Sequence, residues 1–171
     1  FSNLKIKDAL SPDDTLIFAQ KAYLNFDIYD LLNKKYIVRK LILSNGVSKI
    51  LIDNKGLENY TILKKNDDEK KSNFEFLLDQ VTIENFFINY QNKLLKQDYD
   101  FFIKKTKFKG AFSDQDYDLN IIAALNINYF KLENINYIKS KSSELEMNLH
   151  VDNNPFSLTI KNGKLKLGEM N

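Results

Sequence analysis

The 171-residue sequence contains no cysteine or tryptophan, one histidine, two prolines and five glycines. The lack of cysteine excludes a disulfide framework, a thiolate metal site and a cysteine nucleophile. The single histidine, His150, cannot form a metal cluster that needs several histidines. The glycines do not fall into either phosphate-binding spacing, GxGxxG or GxxxxGK. No catalytic constellation can be recognised, so we expect a protein that is not an enzyme and that uses no cofactor.

A charge excess of one sign and a long hydrophobic run are also missing. The 25 basic and 23 acidic residues leave a formal net charge of +2. That balance provides no strong field toward nucleic acid, and we expect no nucleic-acid partner. No run reaches the length of about 18 apolar residues that a membrane-spanning helix needs. Hydrophobic residues make up 43% of the chain and charged residues 28%, which is typical of a folded globular protein.

What the sequence does contain is alternation of apolar and polar residues, most clearly in residues 118–130, DLNIIAALNINYF. A period of two places one set of side chains on one face of an extended strand. The apolar set comprises Tyr117, Leu119, Ile121, Ala123, Leu125, Ile127 and Tyr129. This pattern predicts a long strand with a one-sided apolar strip that must be covered by something.

The same alternation recurs along nearly the whole chain. Antiparallel sheets with one solvated face produce it. We therefore predict a mainly β fold with an antiparallel, highly twisted sheet, either an open groove or sandwich-like. The period breaks in the region 27–35, where Asp30 is a candidate to begin one short helix that carries Leu31 and Leu32.

The chain divides into three predicted segments. Residues 1–63 form an N-terminal β segment with the short helix, and residues 64–73, which contain no apolar side chain, form a polar linker or loop. Residues 74–171 form an antiparallel β segment that we expect to continue the same sheet. Because the sequence opens on Phe1, we expect it to be part of a longer protein with a signal peptide or anchor upstream.

Several short signals predict turns and bulges. The pair at 45–46, Asn-Gly, suits a tight turn or a bulge, and the same pair at 162–163 predicts a two-residue hairpin. Changes of apolar phase predict bulges or tight turns near 79–80 and 84–85. Residues 40–46, KLILSNG, resemble residues 80–86, QVTIENF, which suggests a strand unit used more than once.

The polar residues with potential chemistry have simpler explanations. The aspartates at 114, 116 and 118 have the spacing that begins a calcium loop, but Leu119 and Leu125 replace the required glycine and bidentate glutamate. We predict no metal site. His150 lies among the polar positions of an alternating strand and is predicted to be a solvated surface residue. The lysines at 105, 107 and 109 form a basic ladder that indicates a solvated face or a protected edge.

The order of these elements resembles the AsmA family, the AsmA/TamB-like bacterial envelope proteins that are related to bridge-like lipid-transfer proteins. One matching element is a "GxxNY" segment, here Gly56, Asn59 and Tyr60. Another is a "VxIxNxxIxY" strand pair, whose matching residues are Val81, Ile83, Asn85, Ile88 and Tyr90. The similarity covers most of the chain through apolar patterns, and the chain is shorter than a full family member.

The resemblance implies a non-catalytic domain in the periplasm or cell envelope, anchored to the inner membrane in the full-length protein. It also implies phospholipid transport between membranes or outer-membrane homeostasis, with phospholipid as the partner. The candidate lipid-contact residues are Leu119, Ile121, Leu125, Ile127, Leu145, Met147 and Leu149. The alternative is a β-sandwich binding module for a glycan or a protein partner.

Overall fold

The computed structural model describes residues 1–33, 36–60, 74–111, 116–153 and 156–169. They form eight strands and one helix. In chain order these are β1 (Ser2–Lys7), β2 (Thr15–Phe26), α1 (Ile28–Leu32), β3 (Tyr36–Ile52), β4 (Phe74–Asn92), β5 (Gln97–Lys109), β6 (Asp116–Leu132), β7 (Ile135–Asn153) and β8 (Phe156–Glu169). The predicted linker at 64–73 lies outside the described residues.

The eight strands form one sheet in chain order, β1 to β8. β1 and β8 each have one neighbour, so the sheet is open, and no second sheet forms from the described strands. The prediction of a mainly β, antiparallel fold with one short helix is confirmed, with one difference. β3 and β4 run parallel, which the separation of the two strands in the sequence permits, since a parallel connection needs about a dozen residues or more.

The N-cap of the short helix lies three residues earlier in the chain than the sequence predicted. The Asp27 carboxylate accepts a hydrogen bond of 2.8 Å from the backbone N–H of Tyr29, so Asp27 is the N-cap. Asp30, the predicted cap, lies inside the helix and pairs with Arg39 at 3.5 Å. The prediction was wrong in this detail because both aspartates fit the helix start, and Arg39 is nine residues away in sequence.

The irregularity predicted near 79–80 is present as a bulge, whereas no bulge occurs near 84–85. Asn45 and Asn85 have positive φ angles of 56° and 52°, but the pairing register is the same on both sides of each residue. The partners of Val38 and Lys40 are Phe76 and Gln80, so β4 carries extra residues next to positions 79–80. Neither the tight turn nor the bulge predicted at 45–46 occurs, because β3 is continuous there and pairs with β2 and β4 without a register shift.

The predicted hairpin at 162–163 is wrong. β8 runs without interruption from Phe156 to Glu169. Asn162 pairs with Asn148 across the sheet, and its Oδ1 accepts a 2.8 Å hydrogen bond from the Asn148 side chain. A register shift beside Asn148 leaves one extra residue in β8, so the Asn-Gly pair lies beside a bulge and not in a turn.

The buried core lies on one face of β2 to β5. Phe86 is 2% exposed, and it packs with Ala19, Ala22, Leu43 and Ile103. Its ring lies directly over Gly46, where an added Cβ would come within 2.4 Å of the ring. Because Gly46 has no side chain, the Phe86 ring can pack against β3 at this position.

Asn59 holds the end of β3 to the loop after β1. Its side chain is buried, with 1% of the residue exposed. Its amide nitrogen donates to the Asp8 carboxylate at 2.7 Å and to the Lys49 carbonyl at 2.9 Å, and its amide oxygen accepts from the Leu51 N–H at 2.8 Å. All side-chain groups of this buried amide are therefore paired, as burial of a polar group requires.

Candidate functional site

The strip identified at 117–129 lies against matching residues of β7. Leu119 is opposite Leu149, and Ile121 is opposite Met147. Leu145 is opposite Ala123. Directly opposed residues point to the same side of a sheet, so the two apolar sets form one continuous surface.

This surface is part of a concave apolar face that extends over β4 to β8. The face encloses a hollow of about 430 Å³, a volume within the range of about 300–1,000 Å³ for small-molecule sites. Side chains from all five of these strands line it, and all of them are apolar except Thr106 and Ser143. Examples from the outer strands are Ile88 of β4 and Leu165 of β8.

Four of the seven candidate residues line the hollow, namely Ile121, Leu125, Ile127 and Leu145. The register places Leu119, Met147 and Leu149 on the same face, farther along the strands. Ile121, Ile127 and Leu149 are buried, with 6–9% of each residue exposed. The register therefore brings all seven onto one side of the sheet, and it places four of them around one concavity.

One member of the strip points the other way. The Tyr129 hydroxyl donates to Asp98 at 3.1 Å and accepts from Asn89 at 3.3 Å, so this ring lies on the opposite, convex face. The register shifts beside Asp100, and Phe130 takes the place of Tyr129 in the lining of the hollow. The prediction for Tyr129 was wrong because the alternation in the β6 sequence continues through position 129. The shift occurs only in the pairing of β6 with β5.

Three stacked aromatic rings stand at one end of the hollow. Tyr99 stacks on Phe130 with centroids 4.1 Å apart and planes inclined by 3°, and it stacks on Tyr90 at 5.3 Å. Burial, together with the neighbouring Tyr90, raises the pKa of Tyr99. These rings extend the apolar surface, and the hydroxyl groups of the two tyrosines provide a polar margin.

The two polar residues in the lining have no hydrogen-bond partner for their hydroxyl oxygens within the described structure. Thr106 is 3% exposed and Ser143 is 5% exposed. A buried hydroxyl without a partner lowers stability by about 1–3 kcal/mol. Both residues therefore fill space in the lining, and their hydroxyl groups do not contribute to the stability of the sheet.

The convex face has a different chemistry. Lys105 pairs with Glu84 across the sheet at 2.6 Å, and this pair is solvated. Ile122, next to Ile121 in the chain, is 50% exposed. The sheet therefore has one concave, apolar face and one solvated face with both polar and apolar side chains. The neighbouring residues Ile121 and Ile122 of β6 lie on opposite faces.

His150 is less isolated than its strand pattern predicted. Its Nδ1 lies 3.0 Å from Asp118 Oδ1, and its Nε2 lies 3.3 Å from Asp116 Oδ1. Lys161 Nζ also contacts Asp118, at 2.6 Å. Hydrogen bonds from Lys161 and then from His150 lower the pKa of Asp118. The pairing of β6 with β7 and of β7 with β8 brings these residues together, which sequence spacing could not reveal.

Among the described residues, no group of three or more histidine, aspartate or glutamate side chains is arranged to hold a metal ion. The first aspartate of the calcium-loop spacing, at position 114, lies outside those residues. Within the described part of the chain, no helix is long and apolar enough to cross a membrane.

Sequence reasoning missed most of the residues that line the hollow. Phe101, Ile103 and Phe108 of β5 and Ile83 of β4 line it opposite the predicted strip. Each of these residues belongs to an alternating run, but β5 changes phase where Ile103 and Thr106 lie on the same face. The sequence indicated which residues share a face within each strand. It did not indicate the order of the strands or the register that joins these faces into one surface.

Neither the scan against protein-family models nor the search of curated proteins returned a match for this chain.

Proposed function

We propose that this chain is a lipid-handling β module of a bacterial cell-envelope protein and that its concave face holds the acyl chains of phospholipid. In this proposal the module is AsmA-like and not catalytic. It lies in the periplasm or envelope as part of a protein anchored to the inner membrane. Its role is to move phospholipid between membranes or to maintain the outer membrane.

The observation that carries the proposal is the continuity of the concave face. Its lining is apolar over five strands, and it remains open because the described strands provide no second sheet to cover it. Leaving a large aliphatic side chain in water costs roughly 1.5–3 kcal/mol, so an apolar ligand that covers this face is stabilised. Acyl chains match a lining that offers almost no hydrogen-bonding groups.

The proposed absence of catalysis rests on the position of the polar groups. The ionisable cluster around His150 lies on the convex face, whereas the hollow is lined by aliphatic and aromatic side chains. A substrate in the hollow would meet no general acid or base among the lining residues. Binding without chemical change is the activity that this arrangement favours.

Leu125→Glu tests the proposal because Leu125 lies at the centre of the lining. A carboxylate there would meet an acyl chain in an apolar environment, which is unfavourable for lipid binding. We expect at least about tenfold weaker binding of a fluorescent phosphatidylglycerol than for the wild type, a loss of about 1.4 kcal/mol. The matched control is Ile122→Glu on the convex face, which should bind as the wild type does.

Native mass spectrometry of the wild-type protein provides the second measurement. Co-purified phospholipid is expected in the wild type and in Ile122→Glu, and less of it in Leu125→Glu. A wild-type protein that neither carries nor binds phospholipid would contradict the proposal. An unfolded Leu125→Glu protein would indicate that the face is a closed core.

A further inference from the structure

The outer edge of β8 is the longer of the two free edges in the described sheet. β8 has 14 residues, compared with six in β1 at the opposite edge. No described strand pairs with the outer side of β8. Alternate backbone N–H and C=O groups therefore project outward, which makes the edge a template for an added strand.

The apolar side chains of β8 are poorly covered. Leu158 and Ile160 are 54% and 66% exposed, and Leu165 and Leu167 are 53% and 49% exposed. They continue the concave face, since Leu165 is opposite Leu145. Each of them has a cross-strand neighbour on β7 and lacks one on the outer side. An added strand with apolar residues on this face would cover them.

The opposite face of β8 carries positive charge. Lys164 and Lys166 are opposite Glu146 and Glu144 of β7, and Lys166 Nζ lies 3.4 Å from Glu144 Oε2. The acidic partners therefore lie on the β7 side of the lysines. On the outer side, the described part of the chain offers no acidic strand. Glutamate or aspartate on an added strand would complete this charge pattern.

A ladder of side-chain amides ends at the same edge. Asn120 donates to Asn148 at 2.8 Å, and Asn148 donates to Asn162 at 2.8 Å. The ladder therefore runs in one direction, from β6 to β8. The Asn162 amide nitrogen is its last donor, and none of the described residues accepts from it. An amide or carboxylate oxygen on an added strand would extend the ladder by one step.

The charges also decide against a second copy of the chain. The other free edge, β1, carries Lys5 and Lys7, so pairing β8 with β1 of another copy places lysine beside lysine. Pairing β8 with another β8 does the same. Like charges directly opposite each other on neighbouring strands are destabilising, and lysines on edge strands prevent self-association. A partner strand that carries acidic residues avoids this repulsion, so the charges favour a partner other than this chain's own edges.

We propose that the outer edge of β8 binds an extended strand of a partner polypeptide by β-addition. The strand alternates apolar residues with glutamate or aspartate, and it carries an oxygen acceptor opposite Asn162. Its apolar residues extend the concave face by one strand, and its acidic residues pair with Lys164 and Lys166 on the convex face. This binding is independent of whether the hollow holds lipid.

The sequence of β7 supplies a probe, because residues 142–149, SSELEMNL, already present this pattern to β8. A fluorescent peptide of this sequence is titrated into the full chain and followed by anisotropy. The counterpart with lysine in place of both glutamates is expected to bind about tenfold more weakly, because two favourable cross-strand pairs become repulsive. The protein variant Lys164→Glu/Lys166→Glu should reverse that preference, and Lys5→Glu/Lys7→Glu at the other edge should not change it.

A third peptide, N-methylated at alternate backbone amides, separates strand addition from adsorption, since it keeps the charges and loses the hydrogen bonds. It is expected to bind at least about tenfold more weakly than the parent peptide. Equal binding of the three peptides, or no binding of the parent peptide, would overturn the proposal. Self-association of the chain through β8, detected by sedimentation, would also overturn it.

Discussion

The side chain of Asn85 donates a hydrogen bond of 3.2 Å to the amide oxygen of Asn45 on the neighbouring parallel strand. Both residues have positive φ angles. They occupy the same place in two similar segments, 40–46 and 80–86, which pair residue by residue from Lys40 with Gln80 to Gly46 with Phe86. The suggested repeat of a strand unit therefore appears in the structure as two copies lying side by side.

We expect Asn85→Val to lower the free energy of unfolding by about 1–2 kcal/mol, because a β-branched residue is strained at a positive φ. Asn85→Gly is the control, since it removes the same hydrogen bond and tolerates this backbone conformation. Urea unfolding followed by circular dichroism measures both variants. Equal losses in the two variants would show that the hydrogen bond matters and that the backbone conformation does not.

Gly46→Ala should be among the most damaging small substitutions in the chain. An added Cβ would lie 2.1 Å from the Phe18 carbonyl oxygen and 2.4 Å from the Phe86 ring. Overpacking of this kind typically costs about 1–3 kcal/mol. Gly163→Ala in β8 is the matched control, because its nearest contact would be an ordinary 3.6 Å. Thermal unfolding should separate the two variants, and equal midpoints would argue against the close approach of Phe86.

The elements could be predicted from the sequence much better than their arrangement. Alternation indicated the strands, but the Asn-Gly pair at 45–46, which predicted a bulge or a turn, lies in a continuous strand without a register shift. The parallel pairing of β3 with β4 could not be derived, because alternation within a strand does not specify the direction of its neighbour. The same local signal at 162–163 gave the wrong result, since pairing of Asn162 with Asn148 keeps β8 continuous. Local patterns determine strand faces, and long-range pairing determines register.

Thr106→Val is expected to stabilise the protein by about 1 kcal/mol, because it replaces a buried hydroxyl that has no partner with a methyl group of similar size. Thr82→Val is the comparison. Thr82 is equally buried, at 4% exposure, but its hydroxyl oxygen accepts a 3.1 Å hydrogen bond from Gln80. That variant should lose stability. Chemical denaturation measures both, and a loss in both would mean that the Thr106 hydroxyl has a partner in solution.

Asp8 should make stability depend on pH in the acid range. Burial raises the pKa of Asp8, but hydrogen bonds from the Asn59 side chain and from the backbone N–H groups of Leu10 and Ser11 outweigh it and lower the pKa from its ordinary value of 3.8. The contribution of the carboxylate is therefore fully present above pH 3.8 and is lost as the pH falls through the lowered pKa. The difference in unfolding free energy between the wild type and Asp8→Asn should shrink below that pH, and a difference that is constant from pH 7 to pH 2.5 would contradict this account.

For the candidate site, the sequence predicted Leu145 of β7 and the lining residues of β6 as far as Ile127, and the structure identified the other lining residues. Leu125 and Ile127 could be assigned to one face because β6 alternates regularly as far as position 127. Tyr129 could not, because the shift that replaces it with Phe130 depends on the pairing of β6 with β5. Asn59 was part of the family resemblance, but its contacts with Asp8 and Lys49 join segments that are far apart in the chain.

The most direct test of the central claim compares Ile121 with Ile122, neighbours in β6 that lie on opposite faces of the sheet. Ile121 lines the hollow and is 8% exposed, whereas Ile122 is on the convex face and is 50% exposed. Methyl NMR spectra are recorded on isoleucine-labelled protein with a phosphatidylcholine that carries a nitroxide on its acyl chain. We expect the Ile121 methyl signal to broaden more strongly than the more exposed Ile122 signal, because relaxation by the nitroxide falls steeply with distance. Equal broadening of the two signals, or stronger broadening of Ile122, would contradict the proposal that the concave face holds the acyl chains.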